Sequence, residues 1–404
     1  MNFSEREDKT LSFSNIGLDR GAVEETFEPW DFTVANWEKE GLKTDFNQKL
    51  RVPTVPTEVG YISKDRPVEF VDHYYSAMVT DPVFRIEQQF GLDPVKRMAF
   101  RIPFLSYEEK ILEETPEYFT KLDIDGCIRK YYRGRDLFTL EKSIVSDEKT
   151  WEQHKAHILE TYHKYCTDEA MERIYGPYRE GCAKGDFSIR FRLTGFFWAP
   201  RDLFGVEPHL YAFYDYPEVI KDINRLQLDI YREQMGKILK IITPTVLFFE
   251  EDLSGKTGPM ISGDCFDEFV APCYKEIIPF LKEQGVKNVF VDTDGDFTLL
   301  IPNFRRAGVD GFLPVDVNAG VDLVAVRKKF PDVKFIGGFN KLEIVKGPEA
   351  IDAEFERLLP VIKQGGYMTG VDHQPAPSTP LKHYQYYLKK LGEIMRQYRG
   401  ENAK

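Results

Sequence analysis

A (β/α)8 TIM-like barrel of the α/β class, with an N-terminal helical arm and a β-hairpin excursion, is the fold this sequence predicts, on three observations. Strand-like segments recur at Ser188 to Gly195, Pro244 to Phe249, Asn288 to Asp292, Gly311 to Val315, Val333 to Phe339 and Gly366 to Val371. Amphipathic stretches such as Phe266 to Gln284 and Val321 to Phe330 fill the gaps, and β-then-α units at such intervals force parallel strands with right-handed crossovers. Two of the strands break abruptly into acids or histidine, in Val291-Asp-Thr-Asp-Gly-Asp296 and Gly366-Tyr-Met-Thr-Gly-Val-Asp-His373. Buried parallel strands end this way when they deliver polar groups to the C-terminal edge, where barrels do chemistry. The count closes once two strands are found upstream. A doubly wound sheet is the alternative, but no GxGxxG follows a strand to anchor a nucleotide.

Residues 1 to about 65 lack sustained periodicity and carry Pro53 and Pro56, as expected of an arm lying over the body or over a neighbouring subunit of a homodimer. From Arg66 to Leu92 the pattern Val68, Phe70-Val71, Tyr74, Met78 has helical spacing, and Asp81-Pro82 restarts a second helix. Residues 1–97 thus form an arm with covering helices, and 98–404 form the barrel. Alternation around Asp125-Gly126 predicts a β-hairpin inserted at about 105–135. A helical stretch from Asp147 to Tyr175 carries His154, His157 and His163 among Lys155, Glu160 and Lys164, which reads as a solvated face rather than a ligand set.

With 54 basic against 66 acidic residues, a formal charge of -12 and no basic block, the chain is unsuited to nucleic acid, where counterion release rewards cations. No apolar run approaches the roughly 20 residues a membrane span needs. The five cysteines (Cys127, Cys166, Cys182, Cys265, Cys273) are never spaced CxxC and no signal peptide accompanies them, so reduced, buried thiols in a soluble cytoplasmic protein are expected.

Several motifs of the second half stand in a familiar order: Glu250-Glu-Asp-Leu-Ser-Gly-Lys-Thr-Gly-Pro-Met-Ile-Ser262, Phe266 through Tyr274-Lys275, Val291 through Asp296, Ala307-Gly-Val-Asp-Gly311, Ile336-Gly-Gly-Phe-Asn-Lys341, and Gly365-Gly-Tyr leading to Asp372-His373 and Pro380. Over roughly residues 190 to 395 this text resembles the uroporphyrinogen decarboxylase superfamily, a distorted (β/α)8 barrel shared by the decarboxylase and by corrinoid-dependent methyltransferases. The decarboxylase's Arg-Gln-x-Gly-Arg loop is missing from the first hundred residues, so a substrate with eight carboxylates would be left without its arginines. The thiol-methylating members bind zinc through His-x-Cys and a later Cys, where this chain has Asp292-Thr-Asp294 and Val371-Asp372-His373. What remains is the branch typified by the O-demethylases of anaerobes. That resemblance implies transfer of a methyl group from a small methoxylated, aromatic donor to a Co(I) corrinoid. The chain lacks the Asp-x-His-x-x-Gly signature of a cobalamin module, so the corrinoid (cobalamin) would come on a separate carrier protein. A decarboxylase acting on a smaller acid and a non-catalytic binding barrel are the alternatives.

Asp292 and Asp294 are read as acids over the pocket and Asp296 as a helix cap. Carboxylates so close in a low-dielectric mouth repel, so at least one must be protonated, hydrogen-bonded or paired. His373, between Asp372 and Pro375, is either a surface-loop residue or a member of this cluster with its pKa moved toward the working range. The resemblance puts Glu251 and Asp252 at another strand end, in support, unless one of them holds the turn of Lys256 and Gly258. Asp316 and Asn318 close the strand Gly311 to Val315, and Lys341 either pairs with the acids or is solvated. The Phe196-Phe197-Trp198 turn suits the face of an arene or packs the hairpin onto the barrel. Asp292, Asp294 and His373 would also suit zinc or another divalent ion, but no metal is assigned.

Overall fold

The structure, a computed structural model, describes residues 1–398 except 15, 28, 30, 44–88, 101–106, 124 and 134–137. The covering helices expected over 66–92 fall outside the described residues as far as position 88. Two helices, α1 (Phe3–Thr10) and α2 (Asp31–Lys39), precede the strands β1 (Val95–Phe100), β2 (Lys110–Glu114), β3 (Tyr118–Leu122), β4 (Ile128–Tyr132), β5 (Phe138–Lys142), β6 (Ser188–Thr194) and β7 (Val246–Glu250). A short ribbon of β8 (Ser254–Gly255) and β9 (Gly258–Pro259) follows, then β10 (Val289–Asp292), β11 (Gly311–Leu313), β12 (Lys334–Phe339) and β13 (Tyr367–Val371).

Seven strands form one parallel sheet in the order β1-β6-β7-β10-β11-β12-β13. Side chains alternate between two apolar layers, as the period of two requires. Leu247, Phe249, Val289, Val291, Phe335 and Phe339 join the large core under the helices. Val246, Phe290, Leu313, Ile336 and Met368 form a separate cluster with Leu11 and Ala22. Two such layers on opposite faces of one curled sheet are the outer core and lumen of a TIM-like barrel. The parity puts Arg192, Glu250, Asp292 and Asp372 on the lumen side at the C-terminal ends.

Of the two strands expected upstream, the described residues supply one, β1. The gap between edge strands β1 and β13 is taken by the extended segment 21–27. The Asp93 N–H donates to Val23 O at 2.8 Å, Arg97 donates to Glu25 O at 3.1 Å, and the Val371 N–H donates to Glu25 Oε2 at 3.3 Å. Arg190, buried on the lumen side of β6, pins the segment through Glu25 O at 2.6 Å, Thr26 O at 3.1 Å and Glu24 Oε2 at 2.9 Å. Burial pushes the Glu24 carboxyl well above its ordinary pKa, the neighbouring Glu7 adds to the rise, and Arg190 opposes both.

The predicted hairpin is the centre of a larger unit. β2 to β5 form a four-stranded antiparallel sheet in sequence order, with Asp125 Oδ1 accepting from the Cys127 N–H at 2.9 Å in the β3–β4 turn. The outer strands β2 and β5 are exposed along their whole length; β2 lacks the alternation that would have marked it, whereas Phe138 and Leu140 of β5 alternate with polar residues.

One histidine departs from expectation. His154 is 1% exposed, with Nδ1 2.7 Å from the Tyr107 hydroxyl, because Trp151, His154, Ile158 and Tyr162 share the buried stripe of the helix Glu148–Tyr165. Burial, with a smaller contribution from the charge of His157, lowers its pKa to about 4. All five cysteines are free thiols, three of them buried. No helix among the described residues is long and apolar enough to cross a membrane.

Candidate active site

Five lumen strands end in polar groups that converge at the barrel's C-terminal mouth. Asp292 closes β10 opposite Glu250 of β7 and Leu313 of β11. It is 8% exposed, and its side chain has no hydrogen-bond partner among the described residues. Glu250 is paired with Arg192 at 3.2 Å. Asp252 accepts the Asp294 N–H on Oδ1 at 3.1 Å, while Arg201 donates to Asp252 O at 2.7 Å. Burial pushes the Asp292 carboxyl well above the usual carboxylate range, and the charges of Glu250, Asp252 and Asp294 add to it against Arg192. Burial and the neighbouring Asp294 raise Asp252 to about 6.

His373 sits across the mouth. Its Nε2 lies 3.0 Å from Asp294 Oδ1 and its Nδ1 4.0 Å from Asp372 Oδ2, and the Phe27 ring stands 6.3 Å away, centroid to centroid. Burial opposes a charge on the ring, but the Asp294 and Asp372 carboxylates outweigh it and lift the pKa to about 10. At neutral pH the group is an imidazolium. Asp372, fully buried, is fixed by the Lys341 N–H at 2.9 Å and the Asn318 amide at 2.9 Å. Asp316 accepts the Gly295 N–H at 3.2 Å and the Ala319 N–H at 3.0 Å. Backbone strain gathers here too, with Asp252 at φ 38° and Val315 at φ 65°, a region a β-branched residue rarely enters. Gly295 (φ 76°) has no alternative, since a Cβ there would lie 2.4 Å from Ser254 O.

The structure thus brings Asp292, Asp294, Asp252, His373, Asp316, Asn318 and Lys341 to one rim. Asp296 caps the turn beginning at Thr298, whose N–H donates to it at 3.0 Å. Glu251 is elsewhere. With the outward parity of Leu247 and Phe249, it accepts the N–H groups of Phe196 (3.0 Å), Phe197 (2.8 Å) and Trp198 (3.0 Å) and the Tyr274 hydroxyl (2.5 Å). Its expected supporting role at the mouth is corrected to clamping the start of the helix Trp198–Phe204. Gly195 leaves room for it, because a Cβ there would lie 2.1 Å from the Glu251 carboxyl carbon. Phe196 and Phe197 are likewise 0% exposed, packed against Tyr274 at 5.2 Å and Phe213 at 6.2 Å, so they do not wall the pocket as expected of an arene-binding turn. Trp198 is partly exposed, with Arg201 stacked over it at 4.0 Å.

Among the described residues, the group whose ligand atoms lie close enough for a divalent ion, within 4.8 Å of one another, is Asp316, Asp372 and His373. It differs from the set Asp292, Asp294 and His373 considered in the sequence. The carboxylates of Asp316 and Asp372 already accept N–H donors from Gly295, Ala319, Lys341 and Asn318. Arg192 and Glu250 were not singled out in the sequence; the signal was Arg190 and Arg192 two apart on one face of a core strand, where paired arginines need acids nearby.

Asp294→Asn is expected to drop the His373 pKa from about 10 toward the ordinary imidazole value of about 6.5. A histidine NMR titration reads this, and an unchanged value would dissolve the pairing.

Comparison with known proteins follows the same boundaries. The profile of the family described as Uroporphyrinogen decarboxylase (URO-D) matches residues 194–393. No curated protein sequence matches significantly. Similar solved structures include a methyltransferase from Methanosarcina mazei, at 13% identity and TM-score 0.48 over 81% of this chain and 90% of that one. A B12-independent methionine synthase from Shewanella sp. W3-18-1, in complex with selenomethionine, is similar at 11% identity and TM-score 0.39 over 86% and 94%. At these scores neither bears on the reaction. The segment 194–393, which holds every rim residue of β7, β10, β11 and β13 named above, is the part of the chain that matches the uroporphyrinogen decarboxylase family.

Proposed function

We propose that the chain is a methyltransferase that moves a methyl group from a small methoxylated, aromatic donor to the Co(I) corrinoid of a separate carrier protein. The observation that supports this reading most is His373, a cation held at the barrel mouth by Asp294. Ether cleavage needs such a group, because the departing oxygen takes the bonding pair and must be protonated or stabilised. The corrinoid supplies the nucleophile that accepts the methyl group. The chain's residues do the rest. Nε2 of His373 is engaged by Asp294, and its Nδ1, 4.0 Å from Asp372, is beyond hydrogen-bond reach of that acid and free to give its proton to the leaving oxygen. Asp294 sets the ring's orientation, Asp372, fixed by Asn318 and Lys341, supports its charge, and Asp292 and Asp252 position the donor. Solvent returns the proton to Nδ1 of the partly exposed His373 between turnovers.

The test is direct. Purified protein, a reduced corrinoid carrier and a panel of methoxyarenes should yield a phenol together with loss of the Co(I) absorbance; no turnover across a broad panel overturns the proposal. The family's description favours decarboxylation as a second reading, for which CO2 release would be the assay. The rim argues against a polycarboxylate substrate, since Glu250, Asp252, Asp292 and Asp294 surround the mouth while Arg192 is already paired with Glu250.

A further inference from the structure

We infer that the small molecule bound at the barrel mouth carries a positively charged nitrogen, an organic ammonium seated on Asp292. That this molecule is the methyl donor rests on the function proposed above; the cation site rests on geometry alone. Asp292 is the last residue of β10, faces the lumen and is 8% exposed, yet nothing among the described residues donates to its side chain. A carboxyl group this enclosed, open only at the mouth and given no donor by its own fold, is poorly solvated, which leaves a place for a donor from outside. The other rim acids have partners of their own. Glu250 has Arg192 at 3.2 Å, Asp252 has the Asp294 N–H at 3.1 Å, Asp294 has His373 at 3.0 Å, Asp316 has the Gly295 N–H at 3.2 Å, and Asp372 has Asn318 at 2.9 Å.

The surroundings select the kind of cation. A metal ion needs several converging ligands, and Asp292 is not in the group whose atoms converge. One turn of the pleat below it on the lumen face, Phe290 of its own strand is sealed in the core, and the partly buried Phe248 of the next strand is an apolar ring that favours an alkylammonium over a hydrated ion. An anion is repelled by the acids on either side, whereas a cation relieves the mutual repulsion of Asp292 and its neighbouring acids in a way no neutral ligand can.

Isothermal titration calorimetry of the full chain tests this with three probes of one shape: 4-methoxybenzylammonium, 4-methoxybenzyl alcohol and 4-methoxybenzoate. The ammonium should bind at least about tenfold more tightly than the alcohol, with the benzoate weakest, and Zn2+ should not displace it. Asp292→Asn, nearly isosteric, should abolish the preference for the ammonium over the alcohol. The inference is overturned if the ammonium does not bind, if the alcohol or benzoate binds as well, if Zn2+ displaces it, or if the variant keeps the preference. The wild-type series decides the matter even where the variant fails to fold. Because these readouts need no corrinoid, a preference for the ammonium with no methyl transfer would sustain the cation site and sink only the proposed reaction.

Discussion

Replacing His373 with Gln is expected to slow methyl transfer about 10²–10⁴-fold, the range over which a positioned proton donor accelerates reactions of this kind, with little change in donor affinity. Glutamine keeps a hydrogen bond to Asp294 but has no acidic proton to give. A phenolate leaves with more help from an acid than from an amide dipole, so the loss falls on kcat rather than KM. The pair Asp294 and His373 also ties β10 to β13. Because the folded His373 pKa is raised to about 10 from the ordinary value of about 6.5, its contribution to stability is fully present below pH 6.5 and is lost as the pH rises through about 10. Kinetic constants and a urea unfolding series on the variant separate the two effects.

Glu251→Ala is expected to destabilise the fold by at least about 3 kcal/mol, through the mechanism that makes half-broken buried polar networks expensive. The substitution leaves the N–H groups of Phe196, Phe197 and Trp198 and the Tyr274 hydroxyl without their acceptor. Glu251→Gln keeps one acceptor oxygen but turns its NH2 toward those same donors, so an intermediate loss of about 1–3 kcal/mol is expected. The wild type carries a pH signature here. Burial raises the Glu251 pKa to about 7, with the Tyr274 hydroxyl and the three N–H groups pulling it back. The folded state thus holds this proton more tightly than the unfolded chain, so the contribution is present below the unfolded value of about 4.3 and is lost as the pH rises through about 7. Urea denaturation at several pH values reads both the loss in Glu251→Ala and the disappearance of this slope.

How much of this was legible in the sequence depended on whether an element's signal was local. The six core strands of the second half stood within one or two residues of where the structure places them, because buried parallel strands are apolar runs that stop at a polar edge. The convergence of residues 292, 294 and 373 was readable for the same reason, since strand ends of one barrel meet at one face. Glu251 was misread because neighbouring residues at a strand end point to opposite faces, and Glu250 and Glu251 carry no mark of which one looks inward. The phase was present in Leu247, Phe248 and Phe249, but all three are apolar and none reveals a direction by itself. Phe196 and Phe197 were ambiguous because a buried ring and a pocket wall have the same composition. The segment 21–27, which fills the gap between β1 and β13, was invisible. Its fit depends on Arg190 and Arg97, more than 70 residues away, and no local pattern announces a pairing made by carbonyl groups.

The pH dependence of single-turnover methyl transfer tests the central claim most directly, with the reduced carrier in excess and the donor saturating. An imidazolium donor with its pKa near 10 predicts a rate that is level across neutral pH and falls with a single ionisation near pH 10, a break that disappears in His373→Gln. A rate that instead climbs through pH 6 to 7, or a profile identical in the variant, would mean that His373 does not deliver the proton.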